Sequence, residues 1–115
     1  MIKTYNMKQE YTYWLALANA ENIYTRRKNE ILAKIHEDNS SLAHFFTEEN
    51  NWKSSFDLSQ DEIQSLLQEK EKLNNYSFIV EDLLEQGYQI IPIFSSDYPK
   101  TLKRNLKFSS PILLY

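Results

Sequence analysis

One glycine, Gly87, and three prolines in 115 residues leave this chain nearly without the residues that build tight turns. Glycine supplies left-handed backbone at no steric cost and proline presets a bend, so a chain poor in both puts its length into long helical segments. The size lies within the commonest range for one domain, about 100–150 residues, and a 42% hydrophobic composition with 14% aromatics is enough for one core. There is no cysteine, hence no disulfide framework and no thiolate nucleophile or metal ligand, as in a cytoplasmic protein, the expected location. No apolar run of signal-peptide length opens the chain, and 18 apolar residues nowhere occur in succession, so no membrane partner is expected.

Periodicity predicts the helices. Met7, Tyr11, Trp14, Leu15 and Ala18 mark one buried face of a helix over about 7–20. Thr25 is placed to cap a second helix to about His36, with Ile31, Leu32 and Ile35 inward. Arg26, Arg27 and Lys28 then sit in its first turn, where cations oppose the helix dipole by a few tenths of a kcal/mol each; either the helix starts earlier, at Asn22, or these charges serve a partner. A short third helix holds Leu42, Phe45 and Phe46. The sharpest local signal is Leu58-Ser59-Gln60-Asp61-Glu62-Ile63, a capping box from Ser59 to Glu62 flanked by a hydrophobic staple, which starts a fourth helix at Ser59. Asn74-Asn75-Tyr76-Ser77 interrupts before a fifth, with Phe78, Ile79, Val80, Leu83 and Leu84 inward, and Gly87 ends it.

Beyond Gly87 the pattern changes. Tyr88 to Phe94 reads as a strand, which Pro92 confines to an edge or a bulge. Asp97 or Tyr98 caps a short helix over Lys100 to Leu106, with Pro99 at its first position and Leu102 and Leu106 inward. Four apolar residues follow Pro111 without a turn or a polar tail, a second strand in mid-course. The expectation is therefore the front part of a longer protein, its last strand pairing with Tyr88–Phe94 or with a neighbouring copy in a homodimer.

Charge is segregated. Residues 1–36 carry six Lys/Arg against three acids, residues 37–97 three against thirteen, and residues 98–115 four against none. The candidate phosphate contacts are Arg26, Arg27 and Lys28, together with Lys100, Lys103, Arg104 and Lys107. If the two groups converge they extend a DNA path; otherwise they are solubilising charges.

The strings Gln86-Gly87-Tyr88-Gln89-Ile90-Ile91-Pro92-Ile93, Asp97-Tyr98-Pro99-Lys100-Thr101-Leu102 and Pro111-Ile112-Leu113-Leu114-Tyr115 resemble the DprA/Smf family of DNA-processing proteins. That family begins its nucleotide-binding-like domain with a helix-Gly-strand, a D-Y-P-x-x-L box and a P-x-x-L-aromatic strand. Tyr13-Trp14-Leu15-Ala16-Leu17 is similar to its opening helix. The family-pattern residues are thus Trp14, Gly87, Asp97, Tyr98, Pro99, Leu102, Pro111 and Leu114. The resemblance implies a mainly α chain: residues 1–86 a five-helix bundle like the sterile-alpha-motif or helix-hairpin-helix folds, and residues 87–115 a short β-α-β element, the truncated start of a Rossmann-like domain. It also implies single-stranded DNA as ligand and RecA as partner of the full-length protein, which loads that recombinase on DNA during natural transformation without catalysis or cofactor. None of the Gly-rich and basic positions on which the family's DNA binding rests is matched in this sequence, so these 115 residues are expected to be accessory and to bind DNA weakly or not at all by themselves. The helix-hairpin-helix comparison departs at Ala18-Asn19-Ala20-Glu21-Asn22-Ile23, which has no glycine to admit a phosphate against backbone amides and carries an acid.

The remaining groups point elsewhere. His36 and His44 have no carboxylate-His spacing of a metal site and read as exposed or capping residues. The paired acids read as solvated helix faces. Trp52 lies outside every stripe, so it either anchors a partner or folds back on the core. With no nucleophile, metal set or phosphate loop, an enzyme is not expected. A helical protein-protein module without DNA binding is the alternative function.

Overall fold

The structure is a computed structural model that describes residues 2–115, with side chains from residue 9 onward. It is mainly helical with a small two-stranded sheet. The first helix, α1 (Ile2–Asn19), buries Trp14, Leu15, Ala16 and Leu17 in succession. Met7 lies outside the described side chains. Four consecutive buried residues cannot belong to one stripe; a helix apolar on several sides is a central one. Accordingly α3 (Leu42–Thr47), α5 (Gln60–Glu71), α6 (Leu73–Glu85) and the last strand all lie against α1.

Three asparagine or aspartate residues do the work of absent glycines. Asn22 (φ 62°), Asn39 (φ 53°) and Asp57 (φ 53°) adopt left-handed backbone at the breaks between helices, a conformation their short polar side chains tolerate best after glycine. With Asn22 in that turn, α2 (Thr25–Glu37) cannot begin there; Tyr24 precedes it without a side-chain cap, so Thr25 is its first residue and not its cap. At α3 two acceptors cover the free N–H groups. The Ser41 hydroxyl accepts from His44, and the Glu10 carboxylate of α1 accepts from Leu42 (3.1 Å) and Ala43 (2.9 Å). This fixes α3 to α1.

Trp52 stands in a single helical turn, α4 (Asn51–Ser54), that periodicity did not signal. It is almost wholly buried, its indole N–H donates to the Phe45 carbonyl (2.8 Å), and Phe45 and Phe46 flank the ring. The partner-anchor reading of Trp52 is therefore corrected: the residue folds back on the core. The capping box at Ser59 forms in both directions, and Leu58 and Ile63 turn into the core.

The expected interruption at Asn74–Ser77 is absent. Only Lys72 separates α5 from α6. Leu73 and Tyr76 pack against the core and the Tyr76 hydroxyl donates to buried Glu69, which outweighs the weak helix propensity of Asn-Asn. This shifts the buried face of α6: Val80 is buried, Leu83 and Leu84 are half-buried, while Phe78 (70% exposed) and Ile79 (45%) point outward, against expectation. At its end Gly87 takes φ 88°, with Gly87 N–H on Leu84 and Tyr88 N–H on Leu83, the paired bonds of a Schellman stop.

The strand expected over Tyr88–Phe94 contracts to β1 (Ile91–Pro92), paired antiparallel with β2 (Leu113–Leu114). Pro92 lacks a donor, and Ile93 N–H to Ile112 O (2.9 Å) completes the junction. Between them lie α7 (Lys100–Leu106) and a 3-10 turn (Lys107–Ser109). Pro99 precedes α7 as its boundary residue and neither Asp97 nor Tyr98 caps it; Leu102 is half-buried, but Leu106 is 41% exposed and does not face in. Ile93, Tyr98 and Ile112 join Trp14, Leu17 and Ile31 in one cluster. Residues 87–115 thus share a core with the helices before them. No parallel crossover, the unit of a Rossmann-like sheet, occurs among the described residues.

Candidate nucleic-acid interface

The two family-pattern boxes meet in space. The buried Tyr98 hydroxyl donates to the Pro111 carbonyl (2.6 Å), and burial pushes its phenol up from the ordinary tyrosine value. Asp97 accepts from Gln89 (2.8 Å) and its own N–H rests on the Ser95 hydroxyl, which shapes the bend before α7. Leu102 and Leu114 pack against the core, Trp14 lies within it, and Gly87 ends α6. These residues build the element; their polar atoms are spent inside it.

The basic residues divide. Lys28 is buried, and its ammonium donates to the Ala18 carbonyl (2.8 Å); desolvation pushes its pKa down, with nearby Glu69 opposing the shift. Arg27 clamps the loop before α5, donating to Phe56 O (2.8 Å), Asp57 O (3.0 Å) and the Glu62 carboxylate (3.1 Å). Their placement in the first turn of α2 is thereby explained: tertiary acceptors offset the unfavourable dipole. Both guanidinium and ammonium point into the protein.

Arg26 takes the other direction. It is exposed, 3.9 Å from Glu30, and its guanidinium stands 5.8 Å from the Phe108 ring centroid. Phe108 belongs to the 3-10 turn, whose start at Lys107 (φ 52°) is another left-handed residue. Buried Asn29 of α2 holds that turn, donating one amide hydrogen to Phe108 O and one to Ser110 O, both 2.8 Å. A cavity of about 270 Å³ opens beside it, lined by Asn29, Ala33, Ile93, Phe94, Phe108 and the two lysines Lys103 and Lys107. The Lys103 ammonium reaches the Ile93 carbonyl at 3.5 Å. Phe94 is braced by Trp14 edge-on (5.8 Å) and by the His36 ring (4.7 Å), yet 42% exposed; Phe108 is 45% exposed.

Arg26, Lys103 and Lys107 therefore converge around two exposed phenylalanines. Lys100, Lys103 and Arg104 stand at i, i+3 and i+4 on one face of α7, with Lys100 and Arg104 exposed, and Lys107 follows at the positive-φ residue that ends the helix. The surface offers phosphate-binding cations beside aromatic rings, with no carboxylate lining the cavity. Sequence reasoning found the cations but not Phe94, Phe108 or Asn29; the signal available was Lys107-Phe108, an aromatic inside a basic run.

A second cavity, about 560 Å³, has the wrong sign for phosphate. It is lined by Asp38, His44 and Glu48 among others. His44 and His36 are both exposed, and no group of three or more metal-ligating side chains occurs among the described residues. No helix is long and apolar enough to cross a membrane among those residues. No protein-family model, curated protein or solved structure matches the chain.

Proposed function

We propose that this chain is the front part of a DprA-like protein that binds single-stranded DNA and hands it to RecA, with the helical bundle playing the sterile-alpha-motif-like part and residues 87–115 opening a Rossmann-like domain. The observation that carries it is the convergence of Arg26, Lys103 and Lys107 on Phe94 and Phe108, within residues that resemble the family's boxes. Cations that neutralise phosphate beside aromatic rings that accept bases are what single-strand binders combine. The hydrogen bond from Tyr98 to Pro111 gives the two boxes a reason to occur together. Fluorescence anisotropy with a labelled single-stranded oligonucleotide tests the reading. Binding is expected at low salt and is weakened severalfold by Lys103→Ala with Lys107→Ala; a chain that ignores the oligonucleotide at low salt sinks it.

A protein-contact reading has its own observation. Phe78 and Ile79 stand exposed on α6 beside Glu81, Asp82 and Glu85. A large apolar group ringed by acids fits a protein surface rather than DNA. Purified RecA, titrated against the chain and its Phe78→Ser variant, tests whether this face is where the recombinase docks. Equal affinity for both proteins removes that face from the account.

A further inference from the structure

We infer that the cavity between Phe94 and Phe108 takes a single unpaired nucleobase of single-stranded DNA, stacked on Phe108, while Lys103, Lys107 and Arg26 hold the flanking phosphates; this rests on the nucleic-acid reading above. Three features lead there. First, the volume is about 270 Å³, just below the ~300–1,000 Å³ of drug-sized sites, so it matches one base rather than a bulky ligand. Second, its walls are apolar and aromatic while its rim is cationic, with no carboxylate among the lining residues. An acidic peptide would satisfy the rim but not the rings; a base on its sugar-phosphate satisfies both. Third, the receiving ring is fixed beforehand. Asn29 ties the backbone of the turn at Phe108 O and Ser110 O, and Arg26 stands over the ring, so little ordering remains to be done on binding.

A base inside a duplex is not available to such a cleft. The site therefore discriminates unpaired from paired DNA, and bases from bare backbone. The test compares the 115-residue chain on a labelled oligothymidine, on an abasic oligodeoxyribose phosphate of the same length, and on a duplex of that length. The abasic strand keeps the phosphate charge and removes the rings. Oligothymidine is expected to bind about tenfold more tightly than the abasic strand, within the lower half of what stacking one base on an aromatic side chain contributes. Phe108→Leu keeps the apolar volume without a π face; it should remove most of that difference and melt within a few degrees of the wild type. Equal binding of oligothymidine and abasic strand overturns the base site and leaves the electrostatic reading standing. So does a Phe108→Leu, Phe94→Leu chain that is folded and keeps the full difference. Binding to none of the three overturns both.

Discussion

At the scale of residues, the chain substitutes asparagine and aspartate for glycine, and this explains which turns could be foreseen. Gly87 was legible because glycine before a change of periodicity has one common meaning, the left-handed stop of a helix. Asn22, Asn39 and Asp57 were not, since the same residue types also cap helices and populate polar loops. The distinction is measurable. At Asn22 (φ 62°) alanine meets the full left-handed penalty, so Asn22→Ala should cost about 1–2 kcal/mol in denaturant unfolding, and Asn22→Gly should stay within about 0.5 kcal/mol of the parent. Nothing lies within 4 Å of a Cβ built on Gly87, so Gly87→Ala should cost about 1 kcal/mol from backbone strain alone. A loss several times larger would mean that steric contact, not φ, holds the position. The basic triplet teaches the same lesson differently. Arg26, Arg27 and Lys28 are chemically alike in sequence, yet successive helical positions turn by about 100°, and what each meets is decided by chain 10 to 82 positions away: Lys28 meets Ala18, Arg27 meets Asp57, Arg26 meets Phe108.

At the scale of elements, signals carried by neighbouring residues survived folding and those needing distant partners did not. The capping box at Ser59 is local and formed as read. The α4 turn exists because Trp52 is drawn into an aromatic cluster built by α3, which no spacing around Trp52 could reveal; Trp52→Ala should accordingly cost about 3–5 kcal/mol in stability. Tyr88–Phe94 looked like a full strand because its residues have β propensity, yet only Ile91–Pro92 found a partner, Leu113–Leu114. What locks this element is Tyr98 on Pro111. Removing the hydroxyl leaves that carbonyl without its donor, so Tyr98→Phe should cost about 1–2 kcal/mol at neutral pH. Its pH dependence has a definite sign. Burial raises the pKa of Tyr98, and burial together with Glu69 raises that of Tyr76, so above pH ~10 the unfolded chain releases protons that the folded one keeps. Stability from these groups is complete below the ordinary tyrosine value and is lost as pH climbs past it. Lys28, lowered by burial, acts oppositely, its penalty fading as pH approaches 10.5. Melting curves from pH 8 to 11 should show a decline near the top of that range that is shallower in Tyr98→Phe; parallel declines would remove Tyr98 from the account.

At the scale of the whole molecule, the question is whether separated positive charges act as one surface. Arg26 and the α7 cations lie 74 or more positions apart in sequence, and the bond network of Asn29 brings their elements together. Counterion release turns this into a number. Each phosphate neutralised on a single strand contributes about −0.7 to the slope of log affinity against log salt, so Arg26, Lys100, Lys103, Arg104 and Lys107 acting together should give a slope of about −3.5. Neutralising any one should make the slope shallower by about 0.7 while leaving the melting temperature nearly unchanged, since all are exposed. Arg27→Ala is the internal control. Arg27 holds Phe56, Asp57 and Glu62, so its loss should cost about 2 kcal/mol of stability and leave the slope where it was. Should Arg27→Ala flatten the salt dependence as much as Arg104→Ala does, the division between inward and outward cations would be wrong, and the DNA path would have to run across the start of α2 rather than along α7 and the turn at Phe108.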